Sequence, residues 1–212
     1  MSGAAPARPV VEVLEASYIA SAMDVDGLPA PMFAEVAFGG RSNVGKSSLI
    51  NTLLARRKLV RTSSTPGATR GISVFRAQLR IPEGEATLDL VDLPGYGFAQ
   101  RSKKERRSWG PMIEGFIEHR VGLRAVVLIV DVRRGLEEDD AQLIEYLEHV
   151  GRECIVVATK IDKLPSSKRK LEIDAVRKAA GVPLIGMSSE TGEGREVLWD
   201  RVLRAAGVRA AK

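Results

Sequence analysis

The stretch Gly40-Arg41-Ser42-Asn43-Val44-Gly45-Lys46-Ser47 has the spacing G-x-x-x-x-G-K-[ST] and joins the β-rich run "MFAEVAF" to the helix-patterned run "SLINTLL". A glycine turn between a strand and a helix opens a β-α-β unit, and the rest of the chain continues that rhythm. The β-rich runs "ISVFRAQLRI", "TLDLVDL", "LRAVVLIVDV", "ECIVVATK" and "VPLIGMS" follow, separated mostly by stretches with helical periodicity. The expected fold is α/β: a six-stranded, mainly parallel sheet with helices on both faces. The segment "PEGEA" is too short for a crossover, so the two runs it joins are expected to form an antiparallel hairpin at one edge. Helices are expected over Lys46–Arg56, Lys103–His119, Glu138–Val150, Ser167–Ala180 and Glu193–Ala206.

A chain of 212 residues, 44% hydrophobic, suits one sizeable core. Residues 1–30 are rich in Ala and Pro and read as a flexible arm with one short helix around Val11–Met23; residues 31–206 read as one domain and 207–212 as a frayed tail. No apolar run approaches a membrane span and no signal segment opens the chain, so a cytoplasmic protein without a membrane partner is expected. The single cysteine, Cys154, lies in an apolar run and reads as a reduced core residue.

The glycine turn is a phosphate cradle. Its backbone N–H groups turn inward, Lys46 reaches the β- and γ-phosphates, and the Ser47 hydroxyl suits Mg²⁺. "DLPG", Asp92-Leu93-Pro94-Gly95, ends a hydrophobic strand, where the carboxylate can hold Mg²⁺ directly or through water and the Gly95 N–H can meet a γ-phosphate. Thr69 lies in the loop after the first helix, among Gly67, Ala68, Arg70 and Gly71, and is a second γ-phosphate sensor. "TKID", Thr159-Lys160-Ile161-Asp162, names the base: a carboxylate accepts from the N1–H and exocyclic amine of guanine, and adenine offers no such pair. Lys160 would lay its stem over the purine, while Met187, Ser188 and Ser189 of "MSSETG" approach the carbonyl at position 6. Taken singly, Asp162 and Ser188 could each be a helix cap. Together the ordered elements point to GTP and GDP.

The stretches "EVAFGGRSNVGKSSLIN", "VRTSSTPGATRGI", "DLPGYGFA", "VVLIVDVRRGLEEDD" and "MSSETGEG" resemble those of the EngB (YihA/YsxC) family of bacterial GTPases, in the translation-factor class, from about Pro29 to the end of the chain. The resemblance implies a Ras-like fold, GTP binding with Mg²⁺ at Ser47 and Thr69, slow hydrolysis, a role in large ribosomal subunit assembly, and a need for the protein in normal cell division and septation. Ala68 stands where the family more often carries a basic residue, which weakens the case for nucleic-acid contact by that loop. Tyr96 and Gly97 follow "DLPG" where many GTPases place a water-orienting Gln, so intrinsic hydrolysis is expected on the order of 10⁻⁴ to 10⁻³ s⁻¹, as at an unassisted Ras-type site. Asn43 matches a position that ligates potassium in related GTPases and is a candidate K⁺ ligand.

Lys plus Arg number 32 against 27 acids, and the surplus is localised. Basic residues crowd 56–70 and 101–107, on both sides of the nucleotide-sensing loops; Arg101, Lys103, Lys104 and Arg107 are the candidates for ribosomal RNA contact. A solvated helix face explains the same charges as well. Arg133 and Arg134 read as surface salt-bridge formers, His119 and His149 as helix-end residues, and Trp109 and Trp199 as packing residues. A monomer is favoured. Two alternatives stay open: a GTPase module acting directly at the division site, and a P-loop small-molecule kinase, for which "TKID" has no use.

Overall fold

The computed structural model describes residues 11–61, 71–96 and 110–208. Along the chain lie β1 (Glu12–Ala22), β2 (Glu35–Gly40), α1 (Lys46–Leu53), β3 (Ile72–Ile81), β4 (Gly84–Asp92), α2 (Gly110–His119) and β5 (Leu123–Asp131). There follow α3 (Glu138–His149), β6 (Glu153–Thr159), a 3₁₀ turn (Ile161–Lys163), α4 (Ser166–Ala180), β7 (Leu184–Gly186) and α5 (Arg195–Ala205). The sheet order is β1-β3-β4-β2-β5-β6-β7, parallel from β4 through β7 and antiparallel at β1/β3 and β3/β4. It is the expected Ras-like α/β architecture with seven strands instead of six.

The extra strand is a correction to the reading of the amino-terminal arm. Val11–Met23 was expected to hold a short helix in a loose arm, whereas β1 is an eleven-residue edge strand paired with β3 from Glu12↔Arg80 to Ala22↔Ile72. The reason lies in two register shifts, at Val13/Glu15 and Tyr18/Ala20. Each bulge flips the inward face, so Val13 and Ala16 pack on one side of the sheet and Ile19 and Ala22 on the other. That spacing of three imitates helical periodicity in a strand. The arm is tethered further on: Leu28 is buried, and the Arg120 guanidinium donates to the Pro29 carbonyl (2.8 Å) and both oxygens of the buried Glu35 carboxylate (2.7 and 2.8 Å).

The central strands bury both faces, as parallel strands between two helical layers must. In β5, Ala125, Val127 and Ile129 face the layer of α1 and α5, and Val126, Leu128 and Val130 face that of α2, α3 and α4. Helix α1 ends at Leu53, short of the expected Arg56, because α5 caps it. The Trp199 indole N–H donates to the Leu53 carbonyl (3.1 Å) and Arg195 to the carbonyls of Thr52 and Leu53 (3.0 Å each). Trp199 is thus the packing residue it was read to be, fully buried. Cys154 is half-buried and packs against the second layer, and burial pushes its thiol up to about 12. Among the described residues no helix is long and apolar enough to cross a membrane.

Candidate nucleotide site

The parallel strands β4, β2, β5, β6 and β7 lie in that order across the sheet, and β4, β2, β6 and β7 each run at the carboxyl end into one of the sequence motifs. Parallel strands aim their ends the same way, so loops that are far apart in sequence share one rim. The phosphate loop leaves β2 at Gly40 and enters α1 through Gly45, whose φ of 100° is a left-handed conformation that a side chain resists. The helix then starts with the Leu49 N–H donating to the Gly45 carbonyl (2.9 Å).

Lys46 and Asp92 meet as a buried ion pair, with the ammonium on Oδ1 of the carboxylate. Burial pushes the Asp92 carboxyl up, and the Lys46 charge and hydrogen bond oppose that shift. Beyond Asp92 the chain runs alongside the phosphate loop: the Leu93 N–H donates to the Phe38 carbonyl (3.0 Å), the Tyr96 N–H to the Gly40 carbonyl (3.3 Å), and the Ser42 N–H to the Tyr96 carbonyl (3.0 Å). Glycine at 95 eases this approach, since a Cβ would sit 3.1 Å from Ser42 Oγ and 3.3 Å from its Cα, tight enough that the phosphate loop would have to give way by a few tenths of an ångström.

Tyr96 itself turns away from the phosphate loop and is buried, its hydroxyl donating to Asp140 Oδ1 (2.8 Å) in the first turn of α3. Arg41 reaches the same end of α3, pairing with Glu137 (2.7 Å) and Asp139 (3.4 Å).

On the base side, Thr159 Oγ1 lies 2.6 Å from the Val44 carbonyl and 3.0 Å from that of Val130. Lys160 adopts the left-handed region (φ 61°), and its ammonium donates to the Asn43 carbonyl (2.7 Å) and pairs with Asp131 Oδ2 (3.0 Å). Asp162 accepts from the buried Ser188 hydroxyl (2.7 Å), which holds its carboxyl below the usual range. The capping role weighed for Asp162 is absent, because α4 begins after Pro165 with no side-chain cap. Ser188 does brace its own loop, accepting from the N–H groups of Glu190 and Thr191 (3.2 Å each). Met187 is fully buried and its N–H donates to the Ala158 carbonyl (2.8 Å), which fixes "MSS" beside "TKID".

These elements enclose a cleft of about 590 Å³ lined by Gly45, Ser48, Thr159, Lys160, Asp162 and Ser189 among others, a volume suited to a nucleotide. Gly71 is described; Gly67, Ala68, Thr69 and Arg70 lie outside the described residues, as do Arg101, Lys103, Lys104 and Arg107. Arg134 forms the surface pair expected of it, with Glu137 (2.8 Å), whereas Arg133, itself half-exposed, pairs with the buried Asp131 (2.6 Å). The sequence reading missed Asp131 as a site residue. Its signal was available: an acid closing an apolar strand, as Asp92 does.

Residues 35–160 match a family model described as "50S ribosome-binding GTPase". The "Probable GTP-binding protein EngB" of Desulforapulum autotrophicum is 44% identical over 193 residues, covering 90% of this chain and 96% of that relative. The chain belongs to the EngB family of GTP-binding GTPases. Another EngB relative, from Myxococcus xanthus, is 42% identical over 201 residues, covering 93% of this chain and 98% of the relative. Among solved structures, a crystal structure of a probable GTP-binding protein engB superimposes with a TM-score of 0.61 at 28% identity, covering 83% of this chain and all of that one. Era in complex with MgGDPNP and nucleotides of 16S ribosomal RNA gives a TM-score of 0.65 at 25% identity, over 84% of this chain and 57% of Era. The motifs that carried the resemblance to EngB are therefore those of the chain's own family.

Proposed function

We propose that this EngB-family chain is a slow, GTP-timed switch that associates with ribosomal RNA or a large-subunit precursor in one nucleotide state and is released in the other. The observation that carries the nucleotide assignment is the pairing of Ser188 with Asp162 at the mouth of the cleft. It leaves a lowered-pKa carboxylate at the position where guanine offers two N–H donors. Residues 40–47 cradle the phosphates, and Gly67–Gly71, with Asp92 to Gly95, sense the γ-phosphate.

The residues fit Mg²⁺. Ser47, Thr69 and Asp92 are hard oxygen donors, with Asp92 acting through water, and the Lys46 ammonium already shows that this buried carboxylate takes a cation against it. When bound, Mg²⁺ neutralises charge developing on the β- and γ-phosphate oxygens. Lys46 leaves Asp92 for the phosphates as nucleotide enters, exchanging one anion for another. Tyr96 is committed to Asp140 and offers no group to orient the attacking water, which supports a low intrinsic rate. The crowding of basic residues in 56–61 and 101–107, next to the γ-phosphate-sensing segments, supports RNA contact that follows nucleotide state. Era's structure with ribosomal RNA supports the same class of partner. A division defect would then follow from poor translation.

The test is sedimentation of tagged protein with ribosomal particles in GDP and in a non-hydrolysable GTP analogue. Replacing Arg101, Lys103, Lys104 and Arg107 with Ala is expected to weaken association and lower its salt slope by about one unit per lost phosphate contact. Association that is equal in both nucleotides refutes the switch, and a wild-type salt slope in the variant returns those residues to a solvated face.

A further inference from the structure

Asp131 closes β5 between the phosphate loop and "TKID", and it is 3% exposed at the side chain. An anion here is unexpected, because the cleft is built to receive a polyanion. Its surroundings explain it. From its own turn, Arg133 donates its backbone N–H to Oδ1 (3.1 Å), its Nε to Oδ1 (2.9 Å) and its terminal nitrogen to Oδ2 (2.6 Å). From β6, the Lys160 ammonium meets Oδ2 at 3.0 Å while donating to the Asn43 carbonyl at 2.7 Å.

From this geometry we propose that Asp131 is a positioning residue for guanine nucleotide binding, acting through Lys160; the proposal rests on the nucleotide site described above. The carboxylate is the fixed member of the chain of contacts. Arg133 orients it with three donors, whereas Lys160 is a long side chain that loses rotamer freedom when held. By anchoring the ammonium, Asp131 keeps the aliphatic stem of Lys160 laid along the cleft wall and keeps the Asn43 carbonyl, at a left-handed residue of the phosphate loop, tied to the base-recognition loop. Base side and phosphate side are then joined before nucleotide arrives, and less ordering remains for binding to accomplish. Two cations on one anion also leave the trio net positive, so the carboxylate does not repel phosphate.

A double-mutant cycle on the full chain separates this from a role in turn stability. Affinity and dissociation rate of a fluorescent GDP are measured for wild type, Asp131→Asn, Lys160→Ala and the double variant, with a melting curve for each. Asp131→Asn is expected to weaken GDP about tenfold while keeping guanine over xanthine, and to have less than about a twofold effect when Lys160 is already Ala. Equal losses in both backgrounds, or wild-type affinity in Asp131→Asn, overturn the proposal. Should Asp131→Asn fail to fold, Arg133→Gln decides, because it frees the carboxylate that Arg133 orients. GDP affinity is then expected to fall, by less than in Lys160→Ala, and to change less than about twofold when Lys160 is already Ala, whereas wild-type affinity or equal losses in both backgrounds overturn the proposal. A wild-type chain that does not bind GDP refutes the nucleotide site itself, a different outcome from an additive cycle.

Discussion

Replacing Tyr96 with Phe removes the donor from a buried hydrogen bond. The hydroxyl donates to Asp140 Oδ1 at 2.8 Å, both residues are buried, and the other carboxylate oxygen accepts the Glu137 N–H at 3.1 Å in the capping box of α3. The variant keeps the ring and its packing, so its cost is that of leaving a buried carboxylate oxygen without its donor, about 2 kcal/mol within a range of about 1–3. For a chain of this size that corresponds to a fall in Tm of about 4–8 °C. The sign of the pH dependence follows from the same carboxylate. Burial already raises the Asp140 carboxyl, and the Tyr96 hydroxyl is among the groups that oppose that rise. Without it, protonation in the folded state becomes easier, and protonation relieves the cost. The stability gap between wild type and Tyr96→Phe should therefore narrow as pH falls from about 8 toward about 5. Urea unfolding across that range measures it. A gap below about 0.5 kcal/mol at the upper end, or a gap independent of pH, refutes the reasoning, because the hydrogen bond would then carry no net stability or would not act through Asp140.

Asp162→Asn should shift preference from GTP to xanthosine triphosphate, because an amide donor meets the second carbonyl of xanthine; competition binding checks it, and unchanged preference in a folded variant removes the base assignment. Ser47→Ala should lose the Mg²⁺ dependence of triphosphate binding, while Lys46→Ala should weaken triphosphate binding itself, both read by titration. Turnover in matched KCl and NaCl, for wild type and Asn43→Ala, tests potassium: an advantage in KCl that Asn43→Ala abolishes is expected, and equal rates remove Asn43 as a ligand. Arg133 and Lys160 hold the Asp131 carboxyl down to about 2, so its stabilisation is present above the ordinary carboxyl range and is lost as pH falls toward about 2. The shift is worth about 2 kcal/mol at most, and about 1 once solvent at the half-exposed Arg133 is allowed for, and acid titration of unfolding should lack this component in Asp131→Asn.

The parallel strands were legible because burial on both faces leaves a plain signal: "VVLIVD" and "ECIVVAT" are continuous apolar runs that can be little else. The β3/β4 hairpin was legible because five residues cannot carry a crossover, and the turn is tight, with Ile81 opposite Gly84. The hairpin does not lie at the edge, however. β1 covers it, and β1 was illegible because its bulges move the inward face twice within eleven residues. Periodicity reports which face a residue occupies only while the register is constant.

The same limit explains what was missed in the site. Motif spacing captured residues that act locally, such as Gly45 at the helix start or Gly95 beside Ser42, since their roles follow from the loop they sit in. Asp131, Asp140 and Asn51 act across the fold. Asn51 pins both polar groups of Val60, at 2.8 and 2.9 Å, and so sets where the chain leaves α1 for the γ-phosphate-sensing segment. Nothing in the neighbours of these residues along the chain announces the partner. What the sequence does offer is placement. Asp92 and Asp131 each end an apolar strand of a parallel sheet, and those ends converge on one rim. A carboxylate at such a position is too costly to bury unless a cation meets it, and here each one is met by a lysine from a motif, Asp92 by Lys46 and Asp131 by Lys160. Two strand-end acids thus fix the two lysines of the site, one for the phosphates and one for the base, before any nucleotide binds.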